Sequence, residues 1–398
     1  MRTGPTQDEI RRQNLGALLR YVHLRGPTSR AELTSRLGLN RSTIGALTAD
    51  LATAGLVAEE LPRDHGRAGR PSLVVRPESE VYGFALVIDV DQLTAARIGL
   101  GGVILDRREK QRPPGAMSPA EVIAPLADFV REMQRAAPPD ARYIGAGAAV
   151  SGLVRAEDGL VRLGPHVGWI DEPLGEALGK ILGGDRPVQV RNNADLSALA
   201  EHVRGVAVDC DNVVYLTGAG GIGGGIIAGG RLVTGHGGYG GEVGHMVVNP
   251  AGRKCACGAY GCWETEAGEG ALLRLTGRAR GEAGHETGRE AVRAVIDAAA
   301  RGDALAQAGL RQVGDWLGFG VANLVNIFNP EMVVFGDGLR EIYIAAAAQV
   351  RSRLNRNGLH VCREHVRLRT PALGEDSALL GAAELAFEPL LADPLDNN

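Results

Sequence analysis

Long apolar runs are missing from this chain of 398 residues. No uninterrupted hydrophobic stretch approaches the roughly 20 residues that a membrane-spanning helix needs. The opening segment, MRTGPTQDEIRRQN, also has no apolar core of the kind a secretion signal requires. No membrane partner is expected. Cysteine is sparse, five in all with three close together, which excludes a disulfide framework and fits a reducing cytoplasm. Cys210 and Cys362, away from that cluster, read as plain buried thiols. Lysine is absent from the first 76 residues, where 12 arginines face 7 acidic residues for a net +5. The whole chain is at −4, so the remainder carries −9. A basic front end on an acidic body suits a DNA-contacting module joined to a ligand-binding one. What is present is ordinary for a soluble globular protein, with 44% hydrophobic and 23% charged residues. The length calls for two or three domains.

The cysteine cluster is the most specific local signal. His245, Cys255, Cys257 and Cys262 fall within GHMVVNPAGRKCACGAYGCWE. One neutral imidazole and three thiolates make the ligand set of a closed, four-coordinate zinc site. Gly258 and Gly261 leave the chain room to wrap a small ion. All four ligands come from protein, so no position is left for a catalytic water, and one structural Zn2+ per chain is expected. Three unconnected thiols in a loop are the plain alternative.

The basic front end has a matching pattern. Asn14 to Val22 reads as an amphipathic helix with Leu15, Leu18, Leu19 and Val22 on one face. Gly26-Pro27-Thr28 breaks it. A second helix runs from Ser29, as N-cap in a capping box with Glu32, to Leu37. Gly38-Leu39-Asn40 turns the chain, and Arg41 to Ala54 forms a third helix with Ile44, Leu47 and Leu51 facing inward. Two helices joined by a short glycine turn form the helix-turn-helix unit, whose second helix enters the major groove by its N-terminal residues. Asn40, Arg41, Ser42, Thr43 and Ala46 are therefore expected to face DNA. A trihelical protein-binding module is the alternative. Two short strands should then enclose Arg63 to Pro71, a wing. Its string Gly-Arg-Ala-Gly-Arg-Pro predicts that Arg67 and Arg70 enter a narrow minor groove.

Residues 237–245, GGYGGEVGH, together with the cysteine cluster and Glu264, resemble the signature of the ROK family of repressors, open reading frames and kinases. The resemblance covers the chain. It implies an α/β protein in which an N-terminal winged helix-turn-helix (1–76) precedes a duplicated actin-like, ribonuclease-H-like body of two lobes. These lobes would span 77–206 and 207–376, with a hinge near Val206–Asp211. A C-terminal helix at 377–398 would pack back on the first lobe. Strands are expected near Phe84–Val90, Ala95–Gly99, Ile144–Val150, Val188–Arg191, Val213–Thr217, Gly225–Ile227 and Met332–Phe335.

By the same resemblance, Ser151, Gly152, Asn192, Asn193, Glu242, His245 and Glu264 belong to a sugar pocket, His245 binding zinc as well. Carboxylates accept from vicinal hydroxyls, and a fixed metal loop keeps those short reaches accurate. The kinases of the family read Glu-Asn-Asp-Ala-Asn where this chain has Arg191-Asn192-Asn193-Ala194-Asp195. Asn193 cannot take a proton from the attacking hydroxyl, and general-base help is worth roughly 10²–10⁴ in rate. Asp195 lies two residues on, away from that helix face. The kinase phosphate loop Asp-x-Gly-Gly-Thr is replaced by Asp89-Val90-Asp91-Gln92-Leu93-Thr94, while the second glycine loop, 217–225, is kept.

These readings point to a non-enzymatic, sugar-responsive transcription regulator, a repressor of carbohydrate-metabolism genes. Its partners would be an operator in double-stranded DNA, a sugar or sugar-phosphate effector, and its own copies in a homodimer or homotetramer. The alternatives are an ATP-dependent sugar kinase with an appended DNA-binding domain, and a regulator that senses a protein partner.

Overall fold

The computed structural model describes residues 6–62, 72–112, 115–182, 188–218, 220–278 and 289–396. Helix α1 (Gln7–Arg25) begins at Thr6, whose hydroxyl accepts from the Glu9 N–H at 3.2 Å while the Glu9 carboxylate accepts from the Thr6 N–H at 2.6 Å. Such reciprocal capping starts the helix two turns before its apolar stripe, in a segment exposed on every side. That is why hydrophobic spacing marks only its second part. Strand β1 (Thr28–Ser29), α2 (Arg30–Leu37), α3 (Arg41–Thr53), β2 (Val57–Glu60) and β3 (Val74–Pro77) complete the unit.

The Ser29 hydroxyl caps α2 by accepting from the Glu32 N–H at 3.1 Å. The expected return bond from Glu32 is absent among the described contacts, because its carboxylate instead accepts from the Tyr21 hydroxyl at 3.2 Å. Gly38 ends α2 in the left-handed conformation, φ 65°, which glycine adopts without a Cβ penalty. Leu18, Leu19, Val22, Leu33, Ile44 and Leu51 are fully buried between the helices. The strands form an antiparallel sheet in the order β1-β3-β2, with Glu60 opposite Val74. Arg67 and Arg70 lie outside the described residues.

The first body sheet contains β4 (Val81–Ile88), β5 (Gln92–Gly99) and β6 (Val103–Gln111), followed after α4 (Pro119–Ala136) by β7 (Arg142–Val150). A small antiparallel sheet, β8 (Leu153–Val154), β9 (Val161–Gly164) and β10 (Trp169–Glu172), leads to α5 (Leu174–Ile181). Strand β11 (Gln189–Asn192) then joins the first sheet and runs directly into α6 (Asn193–Val203). The second sheet begins with β12 (Val213–Thr217), β13 (Gly223–Ala228) and β14 (Arg231–Leu232). Helices α7 (Trp263–Ala267), α8 (Glu269–Leu275), α9 (Arg289–Ala300) and α10 (Ala304–Phe328) come next. The chain ends with β15 (Met332–Phe335), α11 (Asp337–Asn357), α12 (His360–Arg363), β16 (Arg367–Arg369) and α13 (Ser377–Ala392).

The two large sheets have one topology. Their orders, β11-β7-β4-β5-β6 and β14-β13-β12-β15-β16, each place an antiparallel three-strand meander beside two parallel strands. Duplication is thus visible in the strand order itself. The C-terminal helix α13 packs on β4 and β7 of the first sheet, and against α6, which also covers β12 and β13 of the second. Gly381 of α13 makes this possible, since a Cβ there would strike the Leu196 carbonyl of α6. Helix α13 also carries the N-terminal unit. Leu15, Leu18 and Leu19 of α1 share a core with Leu379, Phe387 and Leu391, a docking that sequence spacing does not reveal.

Candidate functional site

The junction between β11 and α6 concentrates the chemistry. Asn192 caps the helix, its Oδ1 accepting from the Ala194 N–H at 2.7 Å while its Nδ2 donates to the Gly152 carbonyl at 2.8 Å. Its amide is therefore committed at both ends within the protein. Asn193 donates through Nδ2 to the Ser151 hydroxyl at 3.0 Å, and its buried Oδ1 has no partner among the described residues. Asp195 is 2% exposed with an Oδ1, and Arg191 on the preceding strand with an Nη1, that have no partner among the described residues. Burial pushes the Asp195 carboxyl up to about 7, against the pull of Arg191 and with a further push from Glu242. Buried polar atoms without partners are rare. Three lie on a single strand-to-helix junction.

Glu242, His245 and Glu264 come together across from this junction. The His245 Nδ1 lies 3.6 Å from the Cys255 Sγ and 3.6 Å from a Glu264 oxygen, while its Nε2 faces Glu242 at 3.8 Å. The ligand atoms of His245, Cys255, Cys257 and Cys262 all lie within 4.8 Å of one another, with Cys257 Sγ and Cys262 Sγ 3.6 Å apart. Thiolates bound tetrahedrally at about 2.3 Å from zinc would sit about 3.8 Å apart, so this donor set fits such an ion. Glu264 spans the two sites. One of its oxygens accepts from the Cys255 thiol at 2.9 Å and the other lies against Gly221 of the glycine loop.

His166 was not legible in the sequence, where nothing in its surroundings marks it. Its ring lies against Gly220, and burial pushes its pKa down. Arg191 and Asp195 were legible only as departures from the kinase pattern.

Beside the junction a cavity of about 310 Å³ is lined by Asp89, Asp91, Gln92, Asn193, Gly220 and Asp337, among others. Burial and the neighbouring Asp337 push the Asp89 carboxyl up to about 7, and Asp91 adds to the effect. The Thr217 hydroxyl donates to Asp337, which sits at φ 45° at the start of α11. These carboxylates share the cavity with Arg107, Arg289 and Arg293.

In the N-terminal unit, Asn40 caps α3, its Oδ1 accepting from the Thr43 N–H at 2.8 Å and from the Ser42 hydroxyl at 2.7 Å. Arg41, Ser42 and Ala46 are exposed at the first turns, with Thr43 half-buried beside them. Among the described residues no helix is long and apolar enough to cross a membrane.

Comparison with known proteins shows the family. The sequence pattern of the ROK family matches residues 85–388. The xylose repressor of Bacillus subtilis is 27% identical over 389 residues, covering 97% of both chains. The crystal structure of a ROK family transcriptional regulator, a homolog of the E. coli MLC protein, superposes with a TM-score of 0.78 at 27% identity. It covers 96% of this chain and 97% of its own. A ROK family glucokinase from Streptomyces griseus, solved with glucose and AMPPNP, superposes with a TM-score of 0.64 at 27% identity. That match covers 77% of this chain and 99% of the kinase.

Proposed function

The chain belongs to the ROK family, and on that premise we propose that it is a sugar-responsive transcriptional regulator, a cytoplasmic repressor of carbohydrate-metabolism genes. One observation carries the reading. The sugar side of the site is built, with Ser151, Glu242, His245 and Glu264 gathered around it, yet the position that should take the proton holds Asn193. Asp91 and Gln92 stand where the kinase phosphate loop has its two glycines. A body of this kind binds a sugar or sugar phosphate without phosphorylating it. The near full-length likeness to the xylose repressor supports the same reading, whereas the whole glucokinase matches only 77% of this chain.

The N-terminal unit supplies the DNA contact. Asn40, Arg41, Ser42, Thr43 and Ala46 present the start of α3 to the major groove, with Asn40 acting chiefly by fixing the helix start. Arg67 and Arg70 reach the minor groove. Two half-sites one helical turn apart require at least a dimer. One structural Zn2+ on His245, Cys255, Cys257 and Cys262 would hold the loop that carries Glu242, leaving Glu264 close at hand.

The test pairs two assays on the full chain. Operator sequences selected from random DNA are titrated by fluorescence anisotropy with and without D-xylose, D-glucose and their phosphates, and ATP consumption is followed over the same panel. A sugar-dependent affinity with background ATP turnover is expected. Turnover on the order of 1–10³ per second would make the protein a kinase and overturn the proposal.

A further inference from the structure

Helix α6 joins the pocket to a second polar cluster at its other end. Its first residue is Asn193, and the residue that follows its last is Arg204. Eleven residues make a rod of about 16 Å, buried over most of its length between α13 and the second sheet. At the far end, Arg204 donates through Nε to Glu384 of α13 at 2.6 Å. Its Nη1 donates to two carbonyls, those of His23 on α1 and Gly101 in the β5–β6 turn, both at 3.1 Å.

The His23 ring closes the cluster. Its Nδ1 accepts from the Gly101 N–H at 2.9 Å, so Nε2 carries the proton and donates to Glu384 at 3.2 Å. Arg204 Nη2 crowds the same Nε2 at 2.6 Å, one N–H donor facing another, while Arg204 Nε and His23 Nε2 both converge on the Glu384 carboxylate. His23 is fully buried, and the side chains of Arg204 and Glu384 are 10% and 9% exposed.

Apolar residues would pack such a junction at least as stably, because buried ion pairs lose most of their attraction to desolvation. What a buried charged cluster adds is discreteness, since its bonds exist in one arrangement and break under a shift of about an ångström. Four separate parts of the fold meet there. One belongs to the DNA-binding unit and one is the continuation of the pocket helix.

We propose that Arg204, His23 and Glu384 form the coupling contact of this regulator, through which α6 transmits the state of the pocket at Asn193 to α1. The inference rests on the sugar-regulator reading above. Arg204 is a positioning residue and touches neither sugar nor DNA.

The experiment uses Arg204→Met in the full chain, with Arg20→Ala as control. Arg20 pairs with Glu388 at 3.1 Å across the same α1–α13 interface but at the exposed surface, with no hydrogen bond to Arg204 or Glu384 among the described residues. Sugar binding is measured by calorimetry, with whichever panel sugar shifts the wild type, and operator affinity is measured with and without it. Wild type and Arg20→Ala should show an operator response of about 5–150-fold, whereas Arg204→Met should bind sugar normally and respond by less than about twofold. Linkage requires that operator DNA change sugar affinity in the wild type and not in the variant, a readout that a merely structural role would not move. Should Arg204→Met fold poorly, the double replacement Arg204→Met with Glu384→Met removes both charges and decides the matter. A full response in either variant overturns the coupling contact. A wild type that no sugar affects overturns the regulator reading instead, and the coupling contact with it.

Discussion

At the scale of single residues, Asp195 shows what a shift of two positions does to a carboxylate. A base at the Asn193 position would face the cavity, but Asp195 is held under the Gly241 turn, against Arg191. Its folded-state pKa of about 7 lies above the ordinary value of 3.8, with burial the main cause. A carboxyl shifted in this direction lends stability that is full below the unfolded pKa. That stability is lost as pH rises from about 4 through about 7. Asp195→Asn removes the titration. The variant's gain in stability over wild type should be larger at pH 8 than at pH 5, by on the order of 2 kcal/mol. Thermal melts at the two pH values check it, and equal shifts would show that Asp195 is charged in the fold at both.

The element that matters most is the loop from Glu242 to Glu264. A bridge between Val247 and Cys262 closes it, and the next residue, Trp263, is fully buried against Gly320 of α10. The Trp263 indole donates to the Trp316 carbonyl at 2.9 Å, so one end of the loop is bolted to a long helix. The other end is held by Val243 and Val248, buried in the same core, and a metal on His245, Cys255, Cys257 and Cys262 would fix the stretch between. Protein purified without added metal should contain about one zinc per chain by elemental analysis. Cys257→Ala should lose the ion, lower the melting temperature and weaken sugar binding through Glu242 and Glu264. A metal-free Cys257→Ala with wild-type melting and sugar affinity would remove the zinc from the account.

Across the whole molecule, packed parts run from the Glu242 loop through β13, α6 and α13 to α1 of the N-terminal unit. A ligand changes operator affinity only if it binds two conformations unequally. Movement of the two lobes about the segment Val206–Asp211 would supply those conformations, and Glu242 approaches the pocket from the second lobe. Glu242→Gln leaves the DNA-binding unit untouched while replacing a charged hydroxyl acceptor by an amide. Ligand-free operator affinity should stay within about twofold of wild type, and the sugar response, about 5–150-fold at full strength, should disappear. Anisotropy titrations with and without sugar check both halves. An unchanged response would place the effector elsewhere.

Local chemistry was legible from the sequence because its signals are short-range. A His and three Cys gathered in one loop, two helices joined at Gly38, and Asn193 at the start of a helix depend on residues near each other in the chain. Strand and helix cores were legible for the same reason, since apolar spacing marks Ile44, Leu47 and Leu51 and the sheet strands alike. Polar starts such as Thr6–Gln13, and the diversion of Glu32 to Tyr21, were not, because capping partners and cross-helix bonds carry no periodicity. Only the tertiary structure decided what lies across a gap in sequence. It set His166 against Gly220, brought Asp337 beside Asp89, and docked α1 on α13, so that His23 met Arg204 and Glu384 across 181 and 361 positions. Contacts at that separation depend on how two sheets of one topology share the helices between them, and no local pattern encodes that.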